Sequence, residues 1–233
     1  MLDALRRDVE LLANPEKAKV LRRFFKAGPG QYGEGAVLLG IVVPASRKIA
    51  KKYADLTLEE VLALLKSKIH EERLIALFVL ITQFEKGNTR IKEEIFWLYL
   101  KHTTFINNWD LVDLSAEKIV GAYLERRPKG ILYELARSES LWERRISIIA
   151  TFHFIKEGKY EDTFTIASIL LRDREDLIHK ATGWMLREVG KRCSEEVEET
   201  FLRKHLKEMP RTMLRYAIER FSPEKRHQYL KKT

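Results

Sequence analysis

The sequence predicts an all-α protein, a solenoid of stacked helix pairs in which residues 1–233 form one domain. Three observations favour this fold class. Apolar residues recur at intervals of three and four in almost every segment, strand-like alternation is nearly absent, and strongly apolar helices recur about every 35 residues. A chain of 233 residues that is 45% hydrophobic also has enough apolar material for a sizeable core.

The helical period is clearest in four segments along the chain: residues 71–86, 91–102, 142–158 and 161–173. Turn-forming residues interrupt it at Gly87-Asn88, Pro128, Gly158 and Pro210, whereas Pro44 is suited to the first turn of a helix. We predict about twelve to fourteen short helices and one long, irregular and flexible connection at residues 27–41. The short loops between the other helices predict antiparallel pairs.

A repeat becomes visible when the charged residue near the start of each strongly apolar helix is aligned. These positions are Arg73, Asp113, Arg145, Lys180 and Arg215, separated by 40, 32, 35 and 35 residues. Helical-hairpin repeats have roughly 33 to 47 residues, and equivalent positions line up along one face, which is commonly a concave binding surface. We therefore expect Asp113, Arg145 and Lys180 to be neighbours on such a surface.

The net charge of +9 is concentrated near the C-terminus. Residues 201–233 hold ten Lys or Arg and three Glu, which accounts for +7. A basic end of this kind indicates a polyanionic partner, most commonly nucleic acid, and a solvated helical end that keeps the protein soluble is an equal alternative. Cys193 is the only cysteine, and no stretch approaches the roughly 18 apolar residues of a membrane span. We expect a soluble, cytoplasmic protein without membrane contacts.

Helical spacing adds two tryptophans to the aligned face. Trp109 lies four residues before Asp113, Trp184 lies four residues after Lys180, and Arg187 lies three residues after Trp184, so each set shares one side of a helix. Cations that bind phosphates and aromatic rings that contact sugars or bases suit a nucleic-acid ligand. The carboxylate of Asp113 repels such a ligand unless it has a specific task.

A purely structural interpretation of these residues stays open. Asp113 and Arg145 are suited to an ion pair that holds neighbouring repeats in register, and Trp109 and Trp184 are suited to core packing. Spacing alone somewhat favours this interpretation.

Other candidate residues favour structural roles more clearly. Trp97 and Trp142 lie within apolar periods, so we expect both in the core. The six histidines are scattered without an i,i+4 pair, which argues against a metal site. Basic neighbours favour a lowered pKa for Cys193, but no His is close in sequence, so a surface or helix-cap thiol is the better interpretation. The glycines of residues 28–35 match no phosphate-binding loop.

Five motifs occur in the order "NPEKA" (14–18), "GIVVPASRKIAKKY" (40–53), "NNWDLVD" (107–113), "WERRISIIATF" (142–152) and "HKATGWMLREVGKR" (179–192). Together they resemble the DNA alkylation repair family typified by AlkD-like DNA glycosylases. The resemblance implies a curved, armadillo-like solenoid of HEAT-like repeats that wraps double-stranded DNA. It also implies excision of N3- and N7-alkylated purines in base excision repair, without a metal or other cofactor. We expect a monomer.

The family pattern, carried over residue by residue, makes Asp113 the catalytic carboxylate and Trp109 and Trp184 the two cleft tryptophans. Arg145 falls on the arginine that grips phosphate, and Arg187 on a further cleft arginine. Phe24 stands where the family has a cleft tyrosine, a change that loses a hydroxyl and keeps a ring.

Two other functional classes remain as alternatives: a non-catalytic solenoid that binds damaged or structured DNA, and a protein-interaction scaffold. The DNA-binding solenoid would keep the positively charged surface but lack the carboxylate of Asp113 or one of the two tryptophans. The second would need neither the tryptophan pair nor the basic end.

Overall fold

The computed structural model describes residues 1–231, and every regular element in that range is helical. The nearest approach to a strand there is an isolated bridge between Val37 and Ile69. The prediction of an all-α fold is therefore confirmed. Lys232 and Thr233, at the end of the basic C-terminal segment, lie outside the described residues.

The described residues form sixteen α-helical segments: α1 Leu2–Leu11, α2 Pro15–Phe24, α3 Val43–Lys52, α4 Leu58–Leu65, α5 His70–Lys86, α6 Thr89–Lys101, α7 Trp109–Ala116, α8 Ala122–Leu124, α9 Gly130–Leu135, α10 Leu141–Ala150, α11 Phe152–Lys156, α12 Glu161–Leu170, α13 Asp176–Arg192, α14 Glu195–His205, α15 Arg211–Ala217 and α16 Pro223–Lys231. Two pairs of these segments are each one helix with a short interruption: the π-helical turn Glu117–Gly121 lies between α7 and α8, and Thr151 separates α10 from α11. Counted in this way the described residues form fourteen helices, within the predicted twelve to fourteen.

The chain divides into two compact units, Met1–Ser115 and Ala116–Thr233. In the first unit α5 is the central helix and packs against α3, α4 and α6. Twelve consecutive residues of α5, from 70 to 81, are buried, because a helix covered on all sides has no solvent face. That residues 1–233 act as one domain stays a prediction.

In the second unit α13 is the central helix and packs against α10, α12, α14 and α15. Consecutive helices pair as α9 with α10, α12 with α13, and α13 with α14, and α15 packs on α13 as well, so the unit is built from stacked helix pairs. Gly183 permits the close approach of α13 and α15, since a Cβ atom there would lie 2.4 Å from the carbonyl oxygen of Met213. This arrangement is the predicted helical-repeat architecture.

The repeat register is confirmed at the level of helix positions. Asp113, Arg145, Lys180 and Arg215 are each the fifth residue of their helices, α7, α10, α13 and α15, and Arg73 is the fourth residue of α5. The alignment of charged positions therefore identified the same position in four of the five helices and a position one residue earlier in α5.

The prediction that Trp97 belongs to the core is wrong, because its side chain is 45% exposed. The buried side of α6 carries Ile95, Phe96 and Tyr99. At 100° per residue Trp97 points nearly opposite to Ile95, although its ring still contacts Phe96 edge to face. Trp142, in contrast, is buried as predicted.

Helix α2 contributes no buried side chain and is held at its ends. At its start, the amide of Asn14 donates to the carbonyl of Leu39 over 2.7 Å, and Gly40, at φ +83°, lets the two backbones approach. A Cβ atom on Gly40 would lie 2.2 Å from the Asn14 carbonyl oxygen. Just beyond its end, Phe25 and Ala27 are buried.

The connection at residues 27–41 is irregular, as predicted. At its end the carboxylate of Glu71 accepts hydrogen bonds from the amides of Leu39, Gly40 and Ile41, at 2.8 to 3.2 Å. Three backbone amides bound to one buried carboxylate fix this part of the backbone, so the expectation of a flexible connection does not fit its last residues.

Candidate functional site

Helix α7 begins where Asn108 caps and anchors it. The Asn108 side-chain oxygen accepts from the amide of Trp109 at 2.8 Å, and its side-chain NH₂ donates to the carbonyl of Phe25 at 3.2 Å. Asn108 is 1% exposed, so both bonds are shielded from water. The first turn of α7 is thereby tied to the residue that follows α2.

Three aromatic rings meet at this point. The ring of Phe24 lies edge to face against Trp109, with centroids 5.3 Å apart, and Phe25 contacts both rings. Phe25 is buried, whereas Phe24 is 58% exposed and Trp109 is half-buried. Two of the sequence-predicted site residues, Phe24 and Trp109, therefore form one partly open aromatic surface.

Asp113 lies one helical turn after Trp109 and is half-buried. Close to it, the hydroxyl of Ser115 donates to the carbonyl of Leu111, so the phenol of Tyr99 donates to Ser115 at 2.8 Å. Burial raises the pKa of Tyr99 well above its usual value, and the negative charge of Asp113 raises it further. The phenol of Tyr99 therefore stays neutral at physiological pH.

The two arginines of "ERR" have different surroundings. Arg144 pairs with Asp173 at 2.6 Å and donates to the carbonyls of Ser138 and Glu139, so it is committed to structure. Arg145, the predicted phosphate ligand, is 5% exposed and donates to the carbonyl of Leu177 in α13. Arg145 therefore also links α10 to the helix that follows it in the stack.

Helix α13 carries the other predicted residues of the second unit on successive turns. Lys180 pairs with Asp176 at 2.7 Å, and the hydrogen bond from Lys180 holds the pKa of that carboxyl below its usual value. Arg187 pairs with Glu219, and a carboxylate oxygen of Glu188 lies 4.0 Å away. A phosphate that binds Arg187 has to compete with these acids.

Trp184 is half-buried beside Phe152, with ring centroids 6.1 Å apart. Two cations lie over the Phe152 ring: Nζ of Lys156 at 4.8 Å from its centroid and the guanidinium carbon of Arg192 at 5.0 Å. Sequence reasoning missed Phe152. The spacing of four between Phe152 and Lys156 was the available signal.

The basic C-terminal segment is more balanced than residues 201–233 alone indicate. Helix α14 has four glutamates among its first five residues, and extending the count back to residue 195 lowers the charge of the segment from +7 to +3. Lys225 pairs with Glu195 and Glu199 at 2.5 and 2.9 Å. Exposed cations on α2 and α3 were missed because they are spread over two helices: Lys17, Arg22, Arg23, Lys48 and Lys51.

Cys193 is the C-cap residue of α13, as the helix-cap interpretation requires. Burial raises the pKa of its thiol, and Glu161 adds to this, so the alternative of a lowered pKa is wrong. Between residues 1 and 231 no group of three or more His, Cys, Asp or Glu is arranged to hold a metal. No helix in that range combines the length and apolarity needed to cross a membrane.

Comparison with known proteins identifies the family. Residues 5–221 match the family model described as "DNA alkylation repair enzyme". The chain belongs to this family. A search of the curated proteins gives no match. Among solved structures, the chain is similar to a "Predicted DNA alkylation repair enzyme from Enterococcus faecalis", at 16% identity and a TM-score of 0.69, covering 91% of this chain and 97% of that one.

Membership of the DNA alkylation repair enzyme family confirms the resemblance found in the five motifs. The solved relative, at its low identity, supports the helical fold. The roles of Asp113, Trp109, Trp184, Arg145, Lys180, Arg187 and Phe24 stay predictions.

Proposed function

We propose that this protein is a DNA glycosylase that removes N3- and N7-alkylated purines from double-stranded DNA. Membership of the family gives the coarser statement, a DNA alkylation repair enzyme. The observation that supports the finer one is that α7 carries Asp113 one helical turn after Trp109, whose ring belongs to the partly open aromatic surface.

The reaction explains why a basic protein keeps an acid there. Alkylation at N3 or N7 leaves a cationic purine, which is already a good leaving group. Breaking the bond between base and sugar then builds positive charge on the deoxyribose. A carboxylate held near that sugar stabilises the charge and orients the attacking water. Asp113 has this role in our proposal, and no step requires a metal.

The aromatic surface also stabilises this positive charge. An indole or phenyl face attracts a cationic nucleotide by about 0.5 to 2 kcal/mol, depending on desolvation. Trp109, supported edge to face by Phe24, offers such a ring in the first unit, and Trp184 offers one in the second. Phe24 retains the apolar contact of the family's tyrosine without its hydroxyl.

Phosphate contacts supply the binding energy that is independent of sequence. Arg145, Lys180 and Arg187 are the proposed ligands in the second unit. The exposed cations of α2 and α3 add positive charge in the first unit. Since such contacts release counterions, affinity for duplex DNA should fall steeply as salt rises. That all these residues contact one duplex stays a prediction.

The deciding experiment compares wild type with Asp113→Asn in single-turnover release of 7-methylguanine and 3-methyladenine from methylated duplex DNA. We expect release to slow by about two orders of magnitude or more, the effect of removing one preorganised electrostatic group, with folding and DNA binding retained. Asp3→Asn, the same change at an exposed carboxylate of α1, is the control and should release base at the wild-type rate.

If Asp113 is only an ion-pair partner of Arg145, Asp113→Asn should instead lower the melting temperature and leave the rate per folded molecule unchanged. A wild-type protein that binds methylated DNA and releases no base would support the non-catalytic alternative.

A further inference from the structure

The first turn of α5 contains four consecutive ionisable residues that are all buried. His70, Glu71, Glu72 and Arg73 are 1, 2, 3 and 6% exposed. Burying such groups is costly unless each has a partner, so their partners indicate what the turn is for. None of the four belongs to the site described above.

Three of these residues reach three different segments. Glu71 binds the backbone amides of residues 39–41. Glu72 pairs with Arg6 of α1 at 3.3 Å, and Nε2 of His70 lies 2.8 Å from Oδ2 of Asp110 in α7. One turn of the central helix therefore anchors α1, the end of the long connection and α7.

The contacts of His70 define its tautomer. A guanidinium nitrogen of Arg73 lies 3.4 Å from Nδ1 of His70, and a guanidinium only donates, so Nδ1 accepts. Nε2 then carries the ring proton and donates it to Asp110. The result is a buried chain in which Arg73 donates to His70 and His70 donates to Asp110.

The same imidazole also packs against Phe25, the buried ring of the aromatic surface. The Phe25 ring stacks on His70 with centroids 4.7 Å apart, and Phe25 in turn contacts Trp109 at 5.5 Å. His70 is thus joined to the start of α7 twice, through Asp110 by a hydrogen bond and through Phe25 by ring packing.

Asp110 depends on this histidine for its orientation. Its Oδ1 is buried and has no hydrogen-bond partner within residues 1–231, whereas Oδ2 binds His70. Its position in the first turn of α7 suits the helix dipole. An apolar pair of similar volume in place of His70 and Asp110 would fill the same space. Only a directional hydrogen bond selects one rotation of the first turn of α7.

We propose that His70 is a positioning residue that sets the orientation of Trp109 and, one turn later, of Asp113. It acts through Asp110 and Phe25 and does not touch the substrate. Its effect on excision rests on the proposed glycosylase function, whereas its effect on the Trp109 ring does not.

The test uses the full chain labelled with 5-fluorotryptophan, which gives one ¹⁹F signal for each of its four tryptophans. Trp109→Phe assigns the signal of Trp109. His70→Leu fills the space without a donor, and His70→Gln keeps a side-chain NH₂ near the place of Nε2. We expect His70→Leu to shift or broaden the Trp109 signal and leave those of Trp97 and Trp142 in place, and His70→Gln to restore it.

Single-turnover base release should follow the same order. We expect His70→Leu to slow release by roughly tenfold to a hundredfold, as small misplacements of a catalytic group do, with the Kd for duplex DNA changed less than the rate. His70→Gln should recover most of the rate. His227→Leu, the same change at an exposed histidine of α16, is the matched control.

An unmoved Trp109 signal in His70→Leu, or equal loss of rate in His70→Leu and His70→Gln, would overturn the proposal. If wild type releases no base, the proposed function fails, and the ¹⁹F signals still decide the positioning role. If His70→Leu does not fold, His70→Asn replaces it. Its amide lies near the place of Nδ1 and cannot reach Asp110, so it should lose what His70→Gln keeps.

Discussion

Replacing Glu198 by Gln should make the protein more stable above neutral pH. Glu198 lies in α14 and is 2% exposed, and its Oε1 has no hydrogen-bond partner among the described residues. It packs so closely on α13 that a Cβ atom at Gly190 would lie 1.9 Å from its Oε2. Burial raises the pKa of Glu198 to about 9, and the charges of Glu195 and Glu199 add to this, against Arg187 and Lys225.

The direction of this pH dependence follows from how tightly Glu198 holds its proton in the folded and unfolded states. The folded protein holds the proton of Glu198 more tightly than the unfolded chain, whose carboxyl has its ordinary pKa of 4.5. The stability that this proton contributes is complete below pH 4.5 and is lost as pH rises towards 9. At about 1.4 kcal/mol per pH unit, the loss at pH 7 is on the order of 3 kcal/mol. Gln has no such proton to lose.

Urea unfolding at pH 5, 7 and 8.5 measures this effect. The difference in free energy of unfolding between Glu198→Gln and wild type should grow in favour of the variant at each step, with unchanged m-values. Glu196→Gln, an exposed position on the same helix, should show no such trend. A variant whose stability falls with pH as steeply as that of wild type would refute the reasoning.

Three further predictions concern binding and packing. Arg145→Ala should weaken duplex DNA binding by about 1 to 3 kcal/mol through loss of a charge-assisted contact. Fluorescence anisotropy at several salt concentrations measures this change. Arg144→Ala should instead lower the melting temperature, with the affinity per folded molecule unchanged. Gly183→Ala should destabilise the fold by about 1 to 3 kcal/mol, because the added Cβ atom would clash with the Met213 carbonyl. Gly130→Ala, with open space around it, should leave the stability unchanged. Thermal melts of both variants measure the difference. Phe24→Tyr should keep the ring contact and change the rate of base release by less than about threefold, while Phe24→Ala should lower it more.

The helical repeat was predictable because its signals are local. Periods of three and four residues, and the fifth-position register of Asp113 and Arg145, are visible in the sequence without any contact information. Trp97 was misjudged because its segment is apolar on more than one side, and only packing decides which side is buried.

The buried polar turn could not be predicted. "HEER" at residues 70–73 has the composition of a solvated helix start, and its burial depends on partners far away in the sequence, such as Asp110. The burial of Glu198 could not be predicted either, because acidic residues usually lie at the surface. Family motifs named the candidate site residues, but the group that orients them is visible only in three dimensions.

Because α2 is fastened just before its start and just beyond its end and buries no side chain of its own, most of its residues are free of the packing demands that constrain other helices. Substitutions at Val20 or Arg23 change the outer surface with little cost to folding. Mutation can therefore explore new surface chemistry on this helix while the fold persists. In laboratory evolution of substrate preference, α2 is the segment to randomise first.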